Sequence, residues 1–494
     1  MKSLMITGMI CFSISQTAAL AEVVKPVEKP NIVVIDIDDW RYDFYGEAGH
    51  PYLETPTIDK LAQEGVTFDR SYCTVPLSTP SRTALLTGMY PQQNKQYNHF
   101  HMPPGSQKLS NYPHYNKLYT KYLKENGYQS GYFGKWHIGW DLMTKENLSP
   151  NFDTVFTWSG VYQEPGQSLK DARNQYFHRK MYFRYMLDEN GKSGSRYLAE
   201  NYATDEFFIE ASSYIEKLDG DKPFYVHLAP LSAHAPFNPD EKYAGKYESF
   251  VEPFNLGRTD YGSLMKNRGK HYTPKRLLEF TRNQAEMMLS VDDGIARILK
   301  VLNKKGFSDN TIVILTGDNG MVYGEHGDIW KKLPWEESVR VPLIVWSAGQ
   351  LVAGDGRIVA SPVSRVDFMP TILDIAGIAT PSHADGQSFA NLIKNNINND
   401  DGNRFALNFG YGEKEVTNDG IPNWVTITLA NDWKLMAYPG SGTLSMYNLT
   451  EDPYEQNDLY GRAGFEQQQT ELVYEMKKQL DLAKVPTAWL NNFN

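Results

Sequence analysis

Three observations in the sequence predict an α/β fold: a large, mostly parallel sheet sandwiched by helices, with a smaller C-terminal α+β domain carrying a short antiparallel sheet. Short β-rich runs alternate with helical patterns over most of the chain. The texture changes near residue 380, beyond which Asn, Gly and Asp abound between short strand-like pieces. Several polar clusters fall directly after the β-rich runs, where the ligand sites of open α/β sheets assemble. The sequence thus divides into a leader over 1–21, a larger domain over 28–380 and a smaller one over 381–494.

The elements follow in order. Residues 31–37 read as a strand after the Pro30 boundary. Residues 57–64 and 115–126 read as helices, the second ending at Gly127 as a C-cap. A short run, Gly131-Tyr132-Phe133, precedes strands at 224–229, 311–315 and 342–346. Between the first two lies a long helical stretch over 274–304, with Thr273 as N-cap and Pro274 in first position. On it Leu278, Met288, Val291, Ile295, Ile298 and Leu302 recur at helical spacing and predict a core-facing stripe. In the smaller domain, strands at 425–429 and 433–437 precede a helix over 465–484.

Composition narrows the partners. With 49 Lys+Arg against 59 Asp+Glu the net charge is −10, which disfavours nucleic acid or an anionic membrane as a general partner. An anionic substrate then has to be held by a local cluster of cations or a metal. Lys2, the apolar stretch over 4–14 and Ala19-Leu20-Ala21 read as a signal peptide cleaved after Ala21, which predicts a periplasmic or secreted protein. No later segment reaches the roughly 18 uninterrupted apolar residues of a membrane span. Cys11 leaves with the leader, so the mature chain keeps Cys73 alone and has no internal disulfide. A lone Cys is a candidate nucleophile, but more often a small buried hydrophobe.

The polar clusters are Asp38-Asp39, Gly134-Lys135-Trp136-His137, His234 and Gly317-Asp318-Asn319-Gly320. Asp38, Asp39, Asp318 and Asn319 offer only oxygen donors, which suits calcium or magnesium and disfavours zinc. Either pair alone reads more readily as a solvated turn, and two of them at two strand ends weigh evenly between a turn and a metal site.

The segment Ser78-Thr79-Pro80-Ser81-Arg82, followed by Leu86-Thr87-Gly88, resembles the signature of the sulfatase family, in which a Cys or Ser precedes any residue and then Pro, Ser and Arg. A second family signature is matched by Gly127-Tyr128-Gln129-Ser130 through Gly134-Lys135-Trp136-His137-Ile138-Gly139, with Phe133 bulkier than the family pattern. Asn31 through Asp39, Thr316 through Gly327, Lys331 through Glu337 with Arg340-Val341-Pro342, Val366-Asp367 to Gly377 with Asp385-Gly386, and Glu451 to Glu455 resemble the family as well.

This resemblance implies an alkaline-phosphatase-like fold and a bacterial sulfatase of the Ser type. Ser78 would be oxidised after synthesis to formylglycine (3-oxoalanine), whose hydrate is the nucleophile, by a radical maturase acting before export. Asp38, Asp39, Asp318 and Asn319, with an oxygen of modified Ser78, would bind one calcium ion. Arg82 and Lys135 would hold the hydrate, His137 would take a proton from it, Lys331 would contact the sulfate, and His234 would protonate the leaving group. Lys331 is chosen over Lys332 because it lies five residues before Glu336, as the family pattern requires. Cys73 lacks the Pro-Ser-Arg context, and His326 reads as a loop residue. The substrate implied is a sulfated carbohydrate. The segments 92–115, 158–200 and 236–275 are expected to shape its pocket; His99, His101, Tyr97 and the aromatics of 176–185 are candidate lining residues or ordinary packing. Two alternatives stand beside this: a phosphomonoesterase or phosphodiesterase of the same superfamily using an unmodified Ser, and an inactive protein that binds sulfated glycans.

Overall fold

The computed structural model describes residues 29–98, 116–138, 148–158, 182–187, 197–198, 201–251, 255, 263–264, 266, 272–398, 402–411 and 423–492. The expected leader over 1–21, Cys11, His99, His101 and most of the aromatic run over 176–185 lie outside them. Among the described residues the main sheet has ten strands: β1 (Asn31–Ile37), β2 (Val66–Phe68), β3 (Gln129–Lys135), β4 (Thr154–Trp158), β5 (Tyr182–Leu187), β6 (Tyr197–Leu198), β7 (Phe224–Ala229), β8 (Thr311–Gly317), β9 (Leu343–Trp346) and β10 (Arg357–Val359). Their spatial order is β10-β2-β9-β8-β1-β7-β3-β4-β5-β6.

The five central strands β8, β1, β7, β3 and β4 are mutually parallel. Strand β9 runs antiparallel to β8 and to β2, a direction that composition did not reveal. The chain leaving β8 stays at the carboxyl end of the sheet through residues 318–342, without a crossover helix, so the next strand has to run back. Strands β5 and β6 at the far edge are also antiparallel.

Alternation along β1 shows why the sheet is sandwiched. Val33, Ile35 and Ile37 join one core with Phe207, Phe208, Met287 and Ile295. Ile32 and Val34 join the other, with Leu85, Leu86, Phe368 and Ile372. The first core rests on two helices, α1 (Ala203–Lys217) and α2 (Pro274–Lys305). Thr273 caps α2 by accepting from the Arg276 amide, and Gly306 ends it at φ +71°. The expected stripe on α2 is buried, except that Leu277 rather than Leu278 fills the first turn. The helix expected over 115–126 is shorter, Tyr119–Glu125.

Beyond the main sheet, strands β11 (Phe405–Gly410), β12 (Trp424–Leu429), β13 (Trp433–Tyr438) and β14 (Thr443–Asn448) form an antiparallel sheet in sequence order. The last long helix, Glu466–Leu482, covers it with Leu472, Met476 and Leu480. Among the described residues no helix is long and apolar enough to cross a membrane.

Candidate active site

The four polar clusters follow β8, β1, β7 and β3, which are neighbours in the sheet, so they converge at one edge. Asp38 and Asp39 follow β1; Asp318 and Asn319 follow β8, whose Gly317 pairs with Ile37. Lys135 ends β3, and His234 lies on the loop after β7. Asp39 and His137 bend the chain through the left-handed region, at φ 52° and 51°. Gly134 sits at φ 123°, where a Cβ would meet the Ala229 carbonyl oxygen at 2.0 Å, so only glycine lets β3 deliver Lys135.

Ser78 is not on a loop. It is the first residue of the buried helix Ser78–Thr87, and is itself fully buried. Pro80 is compatible with helix here because the first turn has no amide to lose. The positive end of the helix therefore faces the site. Ser78 Oγ donates to Asp38 Oδ1 at 3.1 Å, and Lys135 Nζ donates to Ser78 Oγ at 3.4 Å and to Asp38 Oδ2 at 2.5 Å. Thr79 Oγ1 donates to the His137 carbonyl at 2.9 Å, tying the helix start to the β3 loop. His137 is half-buried there.

Arg82, one turn into the helix, donates from Nε to Asp318 Oδ2 at 3.0 Å and from Nη1 to Asp36 Oδ2 at 3.2 Å. Lys331 Nζ donates to Asp39 Oδ1 at 2.6 Å, whereas the neighbouring Lys332 carbonyl accepts from the Trp424 indole. His234 donates from Nδ1 to the Ala235 carbonyl at 2.5 Å, which leaves Nε2 facing the site, 3.8 Å from Asp39 Oδ2. With 28% of its side chain exposed, His234 is more open than Lys331, at 14%.

Electrostatics follow from burial among opposed charges. Burial alone would raise Asp318, but Arg82, Lys135 and Lys331 outweigh it and hold the carboxyl well below the usual range. Burial raises Asp38, and Lys135 only partly offsets that. Burial, then Lys135 and Lys331, push the His234 imidazolium down to about 3, so the ring rests neutral. Three carboxylates face three cations. A divalent ion and an anionic ester therefore enter together at a modest electrostatic cost.

The donor set fits a hard cation. Asp39 Oδ2 and Asn319 Oδ1 are buried and accept no hydrogen bond among the described residues. Asp38, Asp39 and His234 each bring a ligand atom within 4.8 Å of the others'. With Asp318, the set is dominated by oxygen and matches calcium or magnesium.

Cys73 is fully buried against Tyr72, Val339, Ala406 and Trp424, and burial raises its thiol well above the ordinary range. It is a packed core residue.

Three residues of the site's support were not read from the sequence. Asp36 sits in the apolar run of β1, and Arg365 donates to both of its oxygens at 2.8 Å, to Gly317 O at 2.6 Å and to Ser81 O at 3.2 Å. Gln284, on the buried face of α2, donates to the carbonyls of Asp39 (3.3 Å) and Ala233 (3.1 Å), joining the acidic loop to the His234 loop. A charge inside an otherwise apolar strand, and an amide on an apolar helix stripe, were the available signals. Gln284→Leu is expected to cost about 1–3 kcal/mol of stability and about ten- to a hundredfold in kcat through misplaced groups. Denaturant titration and steady-state kinetics check both.

A family model described as Sulfatase matches residues 30–378. The chain belongs to the sulfatase family. As a sulfatase it is a sulfuric ester hydrolase, and a second model, "N-sulphoglucosamine sulphohydrolase, C-terminal", matches residues 324–484. This sulfatase is 28% identical to the ulvan-active sulfatase of Formosa agariphila, over 92% of this chain and 81% of that protein. It is 26% identical to an N-acetylglucosamine-6-O-sulfatase of Bacteroides thetaiotaomicron, over 90% and 85%. A solved structure in complex with D-glucosamine-2-N,6-O-disulfate superposes with a TM-score of 0.74 at 24% identity, covering 92% of this chain and 98% of that one. The alkaline-phosphatase-like fold expected for a sulfatase is thereby found.

Proposed function

We propose that this sulfatase hydrolyses the sulfate esters of a sulfated carbohydrate, using a formylglycine made from Ser78 and one calcium ion. The convergence of Ser78, Arg82, Lys135 and Lys331 on the acidic cluster of Asp38, Asp39, Asp318 and Asn319 carries this reading. Relatives that act on ulvan and on N-acetylglucosamine-6-sulfate support a sugar substrate.

A plain Ser hydroxyl is a weak nucleophile. Formylglycine would supply a geminal diol, with one hydroxyl as nucleophile and a second whose deprotonation would release sulfate. Calcium supplies Lewis-acid stabilisation of charge on the oxygens around it. Asp38, Asp39, Asp318 and Asn319 would hold that ion, with an oxygen of residue 78.

The remaining steps belong to the chain's own side chains. Lys135, already 3.4 Å from Ser78 Oγ, and Arg82 orient residue 78 and neutralise charge beside it. The positive end of the Ser78–Thr87 helix acts in the same sense. Lys331 binds a sulfate oxygen, and His137 would serve as the base for the second hydroxyl. His234 presents Nε2 to the ester oxygen. Because it rests neutral, its role as proton donor depends on the negative charge that the substrate brings beside it.

By the same reading, residues 1–21 direct export to the periplasm or beyond after a radical maturase has oxidised Ser78 on the extended chain. The catalytic domain spans 28–380, and residues 381–494 form the C-terminal domain.

Asp318→Ala tests the metal assignment. It removes an oxygen ligand and the Arg82 partner together, so bound calcium is expected to fall from about one ion per chain to a small fraction, with kcat reduced at least about a hundredfold. Elemental analysis and kinetics read both. Stoichiometric zinc without calcium in the wild-type protein would instead favour a phosphatase-like site.

A further inference from the structure

His326, Glu337 and Glu455 lie outside the catalytic set, and each brings a ligand atom within 4.8 Å of the other two. They come from separate parts of the chain. His326 follows the β8 loop at φ 56°, Glu337 sits in the short helix Glu336–Val339, and Glu455 follows β14. The His326 ring stacks on Trp335 at 3.8 Å between centroids and 7° between planes, which fixes its edge toward the carboxylates. Glu455 is fixed by the Glu336 amide, which donates to Oε2 at 2.7 Å.

Glu337 is the unexplained member. Its side chain is 1% exposed, and neither carboxylate oxygen accepts a hydrogen bond among the described residues. A buried carboxylate left in this way is costly unless something positive meets it. Lys434 meets Glu336 Oε1 at 2.9 Å and Glu455 Oε1 at 2.6 Å, and not Glu337. Arg41, whose field reaches Glu337, is engaged by Asp43 and Glu325 at 2.7 and 2.8 Å. Of the buried carboxylates Glu336, Glu337 and Glu455, Lys434 thus reaches two and leaves Glu337 out.

The His326 Nε2 to Glu337 Oε2 separation is 3.5 Å, and neither atom makes a hydrogen bond among the described residues. Two ligands of one tetrahedral ion, each bonded at about 2.0–2.1 Å, stand about 3.4 Å apart. We propose that His326, Glu337 and Glu455 form a second metal site for a divalent transition cation, zinc or manganese, which clasps the C-terminal layer to the main sheet. One nitrogen and two carboxylates suit those ions, in contrast to the oxygen-dominated set that fits calcium.

The test uses the full chain, stripped with a chelator and dialysed against calcium with zinc chloride or manganese chloride. The wild-type protein is expected to retain about one transition-metal ion per chain and to gain roughly 2–5 °C in its unfolding midpoint. Glu337→Gln and His326→Gln should lose both effects while still binding calcium. Asp318→Ala should show the reverse, losing calcium and keeping the transition metal. A wild-type protein that takes up neither zinc nor manganese overturns the proposal, and needs no variant to fold. Retention of as much metal by Glu337→Gln as by wild type overturns it equally.

Discussion

Ser78→Ala is expected to fold almost normally and to lose at least about 10⁴-fold in turnover. The hydroxyl is fully buried and donates one hydrogen bond, to Asp38 Oδ1 at 3.1 Å. Its loss costs about 1–2 kcal/mol, because Lys135 still donates to the other oxygen of Asp38. Alanine also suits the first turn of the helix that Ser78 opens. Stability should therefore fall by no more than that while chemistry vanishes. Circular dichroism with a thermal melt, beside kcat on a sulfated substrate, separates the two. Activity within tenfold of wild type would end the proposed role of Ser78.

The largest effect on stability is expected at Arg365. This fully buried guanidinium holds Asp36 with both arms and also donates to Gly317 O and Ser81 O, so it joins β1, the β8 turn and the Ser78 helix. Burial alone would raise Asp36; Arg365 and then Arg82 keep it below the ordinary carboxylate range. Arg365→Met leaves Asp36 with Arg82 alone and takes a donor away from the Gly317 and Ser81 carbonyls, which should cost about 3–5 kcal/mol. Arg365→Lys should rescue only part of that, since an ammonium cannot reproduce the two-armed contact. Denaturant unfolding measures the loss. A change below about 1 kcal/mol would show that the pair is dispensable.

The sequence was most legible where chemistry and secondary structure share a boundary. An apolar run that ends abruptly in Asp38-Asp39, or in Asp318-Asn319, marks both a strand and the end of it where the polar clusters meet. The motif around Ser78 names a candidate nucleophile but not the element that carries it. Ser-Thr-Pro-Ser has the look of a turn, yet Pro80 in a first turn opens a helix as readily. Strand direction was not readable, because β9 would have the same composition run either way. Partners distant in sequence were not readable either. Arg365 and Asp36 are 329 residues apart, and each alone passes for an ordinary charge. His326, read as a loop residue, does lie in a loop, but its stacking on Trp335 and its approach to Glu337 become visible only once the fold brings them together.

The central claim is that Ser78 becomes an aldehyde, and mass spectrometry of the peptide containing it is the direct test. The full chain, residues 1–21 included, is produced in two bacterial strains, with and without a radical maturase that uses an iron–sulfur cluster and S-adenosylmethionine. With the maturase, the peptide should weigh two hydrogens less than its sequence requires, and sulfatase activity should rise in proportion to the converted fraction. Without it, the protein should be folded and nearly inactive, with an unmodified peptide. Full activity on an unmodified Ser78 peptide would contradict the account and leave a direct serine nucleophile in its place.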